Sequence, residues 1–303
     1  MPVETRNFGG WPDCAWLSNG DVELVIPAAI GPRVMRYGFA GGQNLFHNYP
    51  HALGKSGEPT WQNRGGHRLW AAPEDKAITY ALDNGPVQLK ADSLSVVATA
   101  TAPADGGFRK EMEIQLAPRG SRVTILHRLT NNFDRPVRCA AWALSVMRPG
   151  GTAIAGFPPR ARHDERLLPT NPLVMWGYTD FSDARWRFTK RFLLLRQDPQ
   201  ATYQQKTGLF AEDSWAAYSV GGELFVKRAR AFADAEYPDF GCSLEIFTNP
   251  LMLEVETLGP LVSLPPGGSI EHVEHWGLHR APELGGASDE ELAQTMASLW
   301  ADQ

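Results

Sequence analysis

Residues 61–74 read W-Q-N-R-G-G-H-R-L-W-A-A-P-E and set two Trp, two Arg, an Asn, a His and a Glu around a glycine pair. An ordinary core strand would be apolar there, and a plain loop would lack the aromatics. Trp61 and Trp70 offer flat faces that suit the C–H side of a ring, and Asn63, Arg64, His67 and Arg68 are hydrogen-bond donors, with Glu74 as an acceptor. A bound polyol must recover the hydrogen bonds it loses to water, so sugars favour this pairing of aromatic plate and fixed polar groups. Gly65 and Gly66 permit positive φ or a close approach of backbone to a ligand. The plainer reading is a surface loop in which Arg stacks on Trp.

A second polar concentration comes late. Glu254 and Glu256 stand two apart, followed by His272, Glu274 and His275. On a strand, period two places Glu254 and Glu256 on one face about 7 Å apart. Two carboxylates in a poorly solvated cleft raise the pKa of one of them, which can then carry protons near neutral pH. Carboxylates on a solvated sheet face would have the same sequence.

These groups need elements to hold them, and the elements are strands. Residues 15–26 read as strand, Asn-Gly turn, strand, a strong hairpin signal. Further β-rich segments are expected at 78–82, 86–90, 94–101, 108–117, 122–131, 137–147, 186–196, 215–220, 223–232, 242–249, 251–257 and 270–278, punctuated by Gly, Pro and Asn. Regular strand spacing of this kind points to a sandwich or barrel. Residues 150–185 carry prolines and glycines among charges and read as long excursions, which in compact domains are often functional. Only the end looks helical, at about 288–301: Ser288 and Glu291 form a capping box, and Leu292, Met296, Leu299 and Trp300 share one face. No linker or repeat interrupts residues 1–303, so a single domain is expected.

Composition narrows the function classes. The 303 residues are 43% hydrophobic and 21% charged, with a net charge of −5, which suits a globular chain and argues against nucleic-acid or anionic-membrane partners. Cys14, Cys139 and Cys242 are too few and too scattered for a disulfide framework or a cysteine zinc site. His47 and His51 have a ligand-like spacing, but Pro50 between them disfavours a helix, so no metal is expected. No secretory leader or membrane span is apparent, and a cytoplasmic location is expected.

The segment G-G-H-R-L-W-A-A-P-E together with E-T-L-G-P at 256–260 resembles the galactose mutarotase-like (aldose 1-epimerase) superfamily, in an uncharacterised branch of it. The resemblance implies an all-β chain, a galactose mutarotase-like β-supersandwich with the C-terminal α-helix added, and a hexose on its concave face. It implies a cofactor-free reaction in which a late-strand glutamate, within E-T-Q-x-x-P, takes the proton of the anomeric hydroxyl. Glu256 falls on that position. In the family a histidine of an L-T-N-H segment protonates the ring oxygen, whereas here Leu129-Thr130-Asn131 is followed by Asn132, and the next strand offers Trp142 at the comparable depth.

The expectation is therefore a sugar or sugar-derivative 1-epimerase with Glu256 as base and His67 as acid, His272 and His275 being the next candidates. Only histidine titrates near neutrality without a perturbed pKa. Asn63, Arg64, Arg68, Trp70, Glu74, Trp142, Lys227, Asp239 and Glu254 are the expected substrate contacts, with Arg64, Arg68 and Lys227 able to read an anionic substituent. One alternative is a binding or sensing protein that kept the cleft and lost the acid, and another is a glycoside lyase or hydrolase using similar carboxylates. The sequence leaves the sugar and the oligomeric state open.

Overall fold

The computed structural model describes residues 3–101 and 106–301, without the side chains of the last two. Every strand pairing among them is antiparallel. The alternating segments form a ten-stranded and an eight-stranded sheet, with a four-stranded sheet at the N-terminal end. The eight-stranded sheet runs from Leu173–Met175 through Gln205–Leu209, Leu244–Thr248, Leu253–Leu258, Val137–Met147 and Gly66–Ala72 to Arg33–Val34, and Val262–Leu264 joins Val137–Met147. The ten-stranded sheet has Ser269–Arg280, Val123–Asn131 and Glu223–Ala229 near its middle.

The two large sheets pack face to face, because each supplies alternate apolar residues to one core. Leu69, Ala71, Ala141, Ile246, Leu253 and Val255 come from the eight-stranded side, and Ile114, Ile125, Leu129, Phe225, Trp276 and Leu278 from the other. At about 25 cal/mol per Å2 of apolar area, burial on this scale is the main favourable contribution to folding. The remaining face of the ten-stranded sheet is covered in part by the helix Asp289–Ala301, whose Leu292, Met296 and Leu299 meet Ile154, Leu194, Leu224 and Val226. Its start is the expected capping box: Glu291 N–H donates to Ser288 Oγ at 3.2 Å, and Ser288 N–H to Glu291 Oε2 at 2.7 Å. The expected fourth apolar residue, Trp300, has its side chain outside the described part.

The Asn-Gly hairpin forms between Trp11–Ser18 and Val22–Pro27. The strand expected at 78–82 does not. Asp75 Oδ1 instead accepts the Ala77 and Ile78 amides at 2.8 and 3.0 Å, and the chain turns there. A short Asp side chain offers the backbone a competing acceptor, which apolar patterning alone does not register. The middle excursion holds the strands Thr152–Gly156 and Leu173–Met175, and residues 157–172 between them run over the surface without regular structure.

Candidate functional site

The strand Val137–Met147 is the axis of the site. On one side Leu144 is paired with Arg68 and on the other with Glu256, while Ser145 is paired with His67 and Val255. Paired residues point to the same face and neighbours to opposite faces. Arg68, Leu144 and Glu256 therefore lie on the face away from the ten-stranded sheet, with Trp70, Trp142 and Glu254. His67, Ser145 and Val255 point into the sandwich.

The outer face carries an acidic and aromatic layer. Glu256 is fully buried; its Oε2 accepts the Trp142 indole N–H at 2.8 Å and the Lys206 ammonium at 3.3 Å, and its Oε1 has no protein donor. Glu245 is the cross-strand neighbour of Glu256, and Lys206 lies 2.6 Å from its Oε2 as an ion pair without hydrogen-bond alignment. Arg68 faces Glu254 at 2.9 Å and lies over the Trp70 ring at 4.1 Å and the Trp61 ring at 5.8 Å. Trp61, Trp70, Tyr80 and Trp142 touch one another at 5.1 to 5.4 Å between centroids. Lys206 sits between the Trp142 and Trp176 rings, at 4.8 and 4.7 Å. Glu74 accepts the Tyr80 hydroxyl at the rim.

Electrostatics follow from three carboxylates and two fixed cations out of water. Burial raises Glu245 well above the usual carboxylate range, against the pull of Lys206, and the nearby Glu256 charge adds to the rise. Burial raises Glu254 as well, against Arg68. For Lys206 desolvation works to lower the pKa, but Glu245 and Glu256 together hold it well above the ordinary lysine value. One ammonium is thus shared between two buried carboxylates. Four carboxylate oxygens, both of Glu245, Glu254 Oε1 and Glu256 Oε1, and the indole N–H groups of Trp61 and Trp70 have no aligned hydrogen-bond partner in the protein, although Lys206 and Arg68 ion-pair with Glu245 and Glu254. Leaving such groups unpaired costs about 1–3 kcal/mol each, so a ligand carrying both donors and acceptors would relieve them.

The structure corrects four expectations. His67 does not face Glu256: it is buried between the sheets, its Nδ1 2.9 Å from Ser145 Oγ and its Nε2 2.7 Å from His127 Nε2. A one-residue step along a strand reverses the face, and His67 is one step from Arg68. Lys227 is likewise interior, 2.7 Å from Glu274 and donating to the Ala143 and Val255 carbonyls at 3.1 Å each. Arg64 is buried against Glu58, and Asn63 Oδ1 accepts the Gly65 amide in a local turn. The two glycines do have positive φ, 78° and 71°, but the close approach they permit is to protein: a Cβ on Gly65 would lie 1.9 Å from His47 O. With Arg68 also committed to Glu254, each cation expected to read an anionic substituent already faces a carboxylate. Asp239 is half-buried in a left-handed turn before Leu244–Thr248, and its charge reaches Glu245.

His272 and His275 do not reach the outer face either. His272 meets Thr257 Oγ1 at 2.8 Å inside the sandwich, and His275 is exposed on the far side of the ten-stranded sheet beside Thr124. His67, His127 and Glu274 bring ligand-type atoms within 4.8 Å of one another. All are already committed, because a chain of donors closes the set: Lys227 to Ser145, Ser145 to His67, His67 to His127, and His127 Nδ1–H to the His272 carbonyl. Glu274 meanwhile accepts from the Trp276 indole at 2.8 Å.

Sequence reading passed over Glu245, Lys206 and Trp176. Glu245 had a signal, since folding the two alternating segments back across Asn249-Pro250 sets Glu245 opposite Glu256. The short strand Gln205–Leu209, which carries Lys206, has no such pattern.

The architecture is that of galactose mutarotase-like structures. The chain superposes on a candidate aldose 1-epimerase from Klebsiella pneumoniae subsp. pneumoniae MGH 78578 with a TM-score of 0.59 at 12% identity, covering 96% of this chain and 86% of that one. For a galactose mutarotase-like protein from Lactobacillus casei ATCC 334 the TM-score is 0.55 at 12% identity, over 88% and 100% of the two chains. The Slr1438 protein from Synechocystis sp. PCC 6803 gives 0.56 at 12% identity, over 92% and 98%. No protein-family model and no curated protein sequence matches the chain. Among the described residues no helix is long and apolar enough to cross a membrane.

Proposed function

We propose that the chain is a carbohydrate-active protein that takes a neutral sugar or sugar derivative on the outer face of the eight-stranded sheet. The reaction we assign is cofactor-free 1-epimerisation with Glu256 as the base. The observation that carries this reading is the state of Glu256: one oxygen fixed by the Trp142 indole N–H and Lys206, the other unpartnered, beside a wall of Trp rings. A fixed carboxylate of this kind can accept the anomeric hydroxyl proton while Trp70 or Trp142 packs against the ring. The solved structures of similar fold include proteins described as a candidate aldose 1-epimerase and as galactose mutarotase-like, which supports the substrate class. Neutral substrates are favoured because Arg64, Arg68 and Lys227 each face a carboxylate.

The test is anomer exchange in freshly dissolved α-aldoses, followed by polarimetry and saturation-transfer NMR. Glu256→Gln should lower the rate by about 10²- to 10⁴-fold, the usual weight of one general acid–base group. A Glu256→Gln protein as active as the wild type would refute the assignment. A second reading, sugar binding without catalysis, is favoured by one observation: the buried histidines His67, His127 and His272 all lie between the sheets. Calorimetric binding of a sugar with no change in its anomer exchange would select it.

A further inference from the structure

His47 reaches the outer face but packs on the Tyr49 ring at 4.5 Å, whereas the carboxyl set directly beside Glu256 is Glu245, and the geometry points to Glu245 as the donor of the proton for the ring oxygen. We propose that Glu245 and Glu256 form an acid and base pair across two adjacent strands, with Lys206 fixing both. The inference rests on the epimerase reading of the same site.

Three observations carry it. Glu245 and Glu256 are directly opposed residues of the hairpin Leu244–Thr248 and Leu253–Leu258, so their side chains leave the sheet side by side. Cβ atoms of such pairs are about 4.5–5.5 Å apart, and the anomeric and ring oxygens of a sugar share one carbon, so neighbouring carboxyls can serve both. Second, the fold makes room for Glu245: its partner on the next strand is Gly208, where a Cβ would lie 3.2 Å from Glu245 Cγ and 2.4 Å from Cys242 Sγ. Third, Glu245 is fully buried, and its cation Lys206, 2.6 Å away, is shared with Glu256 at 3.3 Å. Burial and the nearby Glu256 charge push Glu245 toward the neutral carboxyl, against the pull of Lys206.

The step balances. The Glu256 carboxylate takes the anomeric hydroxyl proton, the C1–O1 bond becomes a carbonyl, and the C1–O5 bond breaks with its electron pair going to O5. O5 takes the proton from the Glu245 carboxyl. After rotation about C1–C2, O5 attacks the carbonyl from the other face, Glu245 recovers its proton, and Glu256 returns the other to O1.

Two measurements on the full-length chain test this. In infrared difference spectra near neutral pH, wild type should show the carbonyl stretch of a protonated carboxyl that Glu245→Gln removes and Glu256→Gln keeps. In anomer exchange, Glu245→Gln should be slower by about 10²- to 10⁴-fold and should lose the alkaline decline of the wild-type profile, while Glu245→Asp retains that decline. An inactive wild type on every aldose tried would sink the epimerase reading and this assignment with it. An active wild type matched by Glu245→Gln would overturn only Glu245. A protonated-carboxyl band that keeps its full wild-type intensity in Glu245→Gln would also overturn it.

Discussion

His67 is the residue whose role changes most between pattern and structure, and its prediction changes with it. Burial lowers the pKa of His67, His127 and His272, the last to about 3, so each is neutral in the fold. A group depressed in this way adds stability that is complete above its unfolded value near 6.5. That stability is lost as pH falls below the unfolded value, at about 1.4 kcal/mol per pH unit for each proton taken up on unfolding. Glu274, held low against its burial by Lys227 and the histidines, acts in the same direction further into acid, whereas the raised Glu245 and Glu254 favour the folded state as pH falls. Comparing His67→Ala with wild type cancels the groups that do not touch it, Glu245 and Glu254 among them. The variant should lose roughly 1–3 kcal/mol near pH 7, where Ser145 and His127 lose a partner, and less near pH 5. Urea midpoints across that range measure it. An equal loss at both ends, or lost turnover with unchanged stability, would show that the residue acts otherwise.

At the scale of elements, the parts with local signals were legible and those set by pairing were not. The Asn19-Gly20 hairpin, the alternation that puts Glu254 and Glu256 together, and the Ser288 capping box all follow from neighbours in sequence. Which face of Gly66–Ala72 meets the core depends on its register with Val137–Met147, and both faces of that strand are buried. A strand covered on both sides has no polar face to betray its orientation, so His67 and Arg68 could not be told apart. The same ambiguity concealed Lys227. For the C-terminal helix, Ser288→Ala should cost about 0.5–2 kcal/mol through the lost cap, seen as a lower thermal midpoint. A variant that melts with the wild type would mean that packing of Leu292 and Met296 alone holds the helix.

For the molecule as a whole, the middle segment contributes to the site through Trp176, which covers Lys206 while remaining half-buried itself. A sugar seated over Glu256 and Lys206 should disturb that ring. Saturating ligand should therefore shift tryptophan fluorescence, and Trp176→Phe should lose most of the shift while calorimetry still records binding. Binding with no fluorescence change in the wild type would mean that the ligand sits elsewhere. The interior network bears on the site in a different way. Lys227 donates to the Ala143 and Val255 carbonyls, one residue from Trp142, Leu144, Glu254 and Glu256, so it clamps from behind the two strands that hold the proposed catalytic face. A mutational survey scored only by turnover would rank Lys227 beside Glu256, although a sheet of backbone separates it from any substrate. Only a parallel score for folding would separate the residues that handle the sugar from those that hold the strands in place.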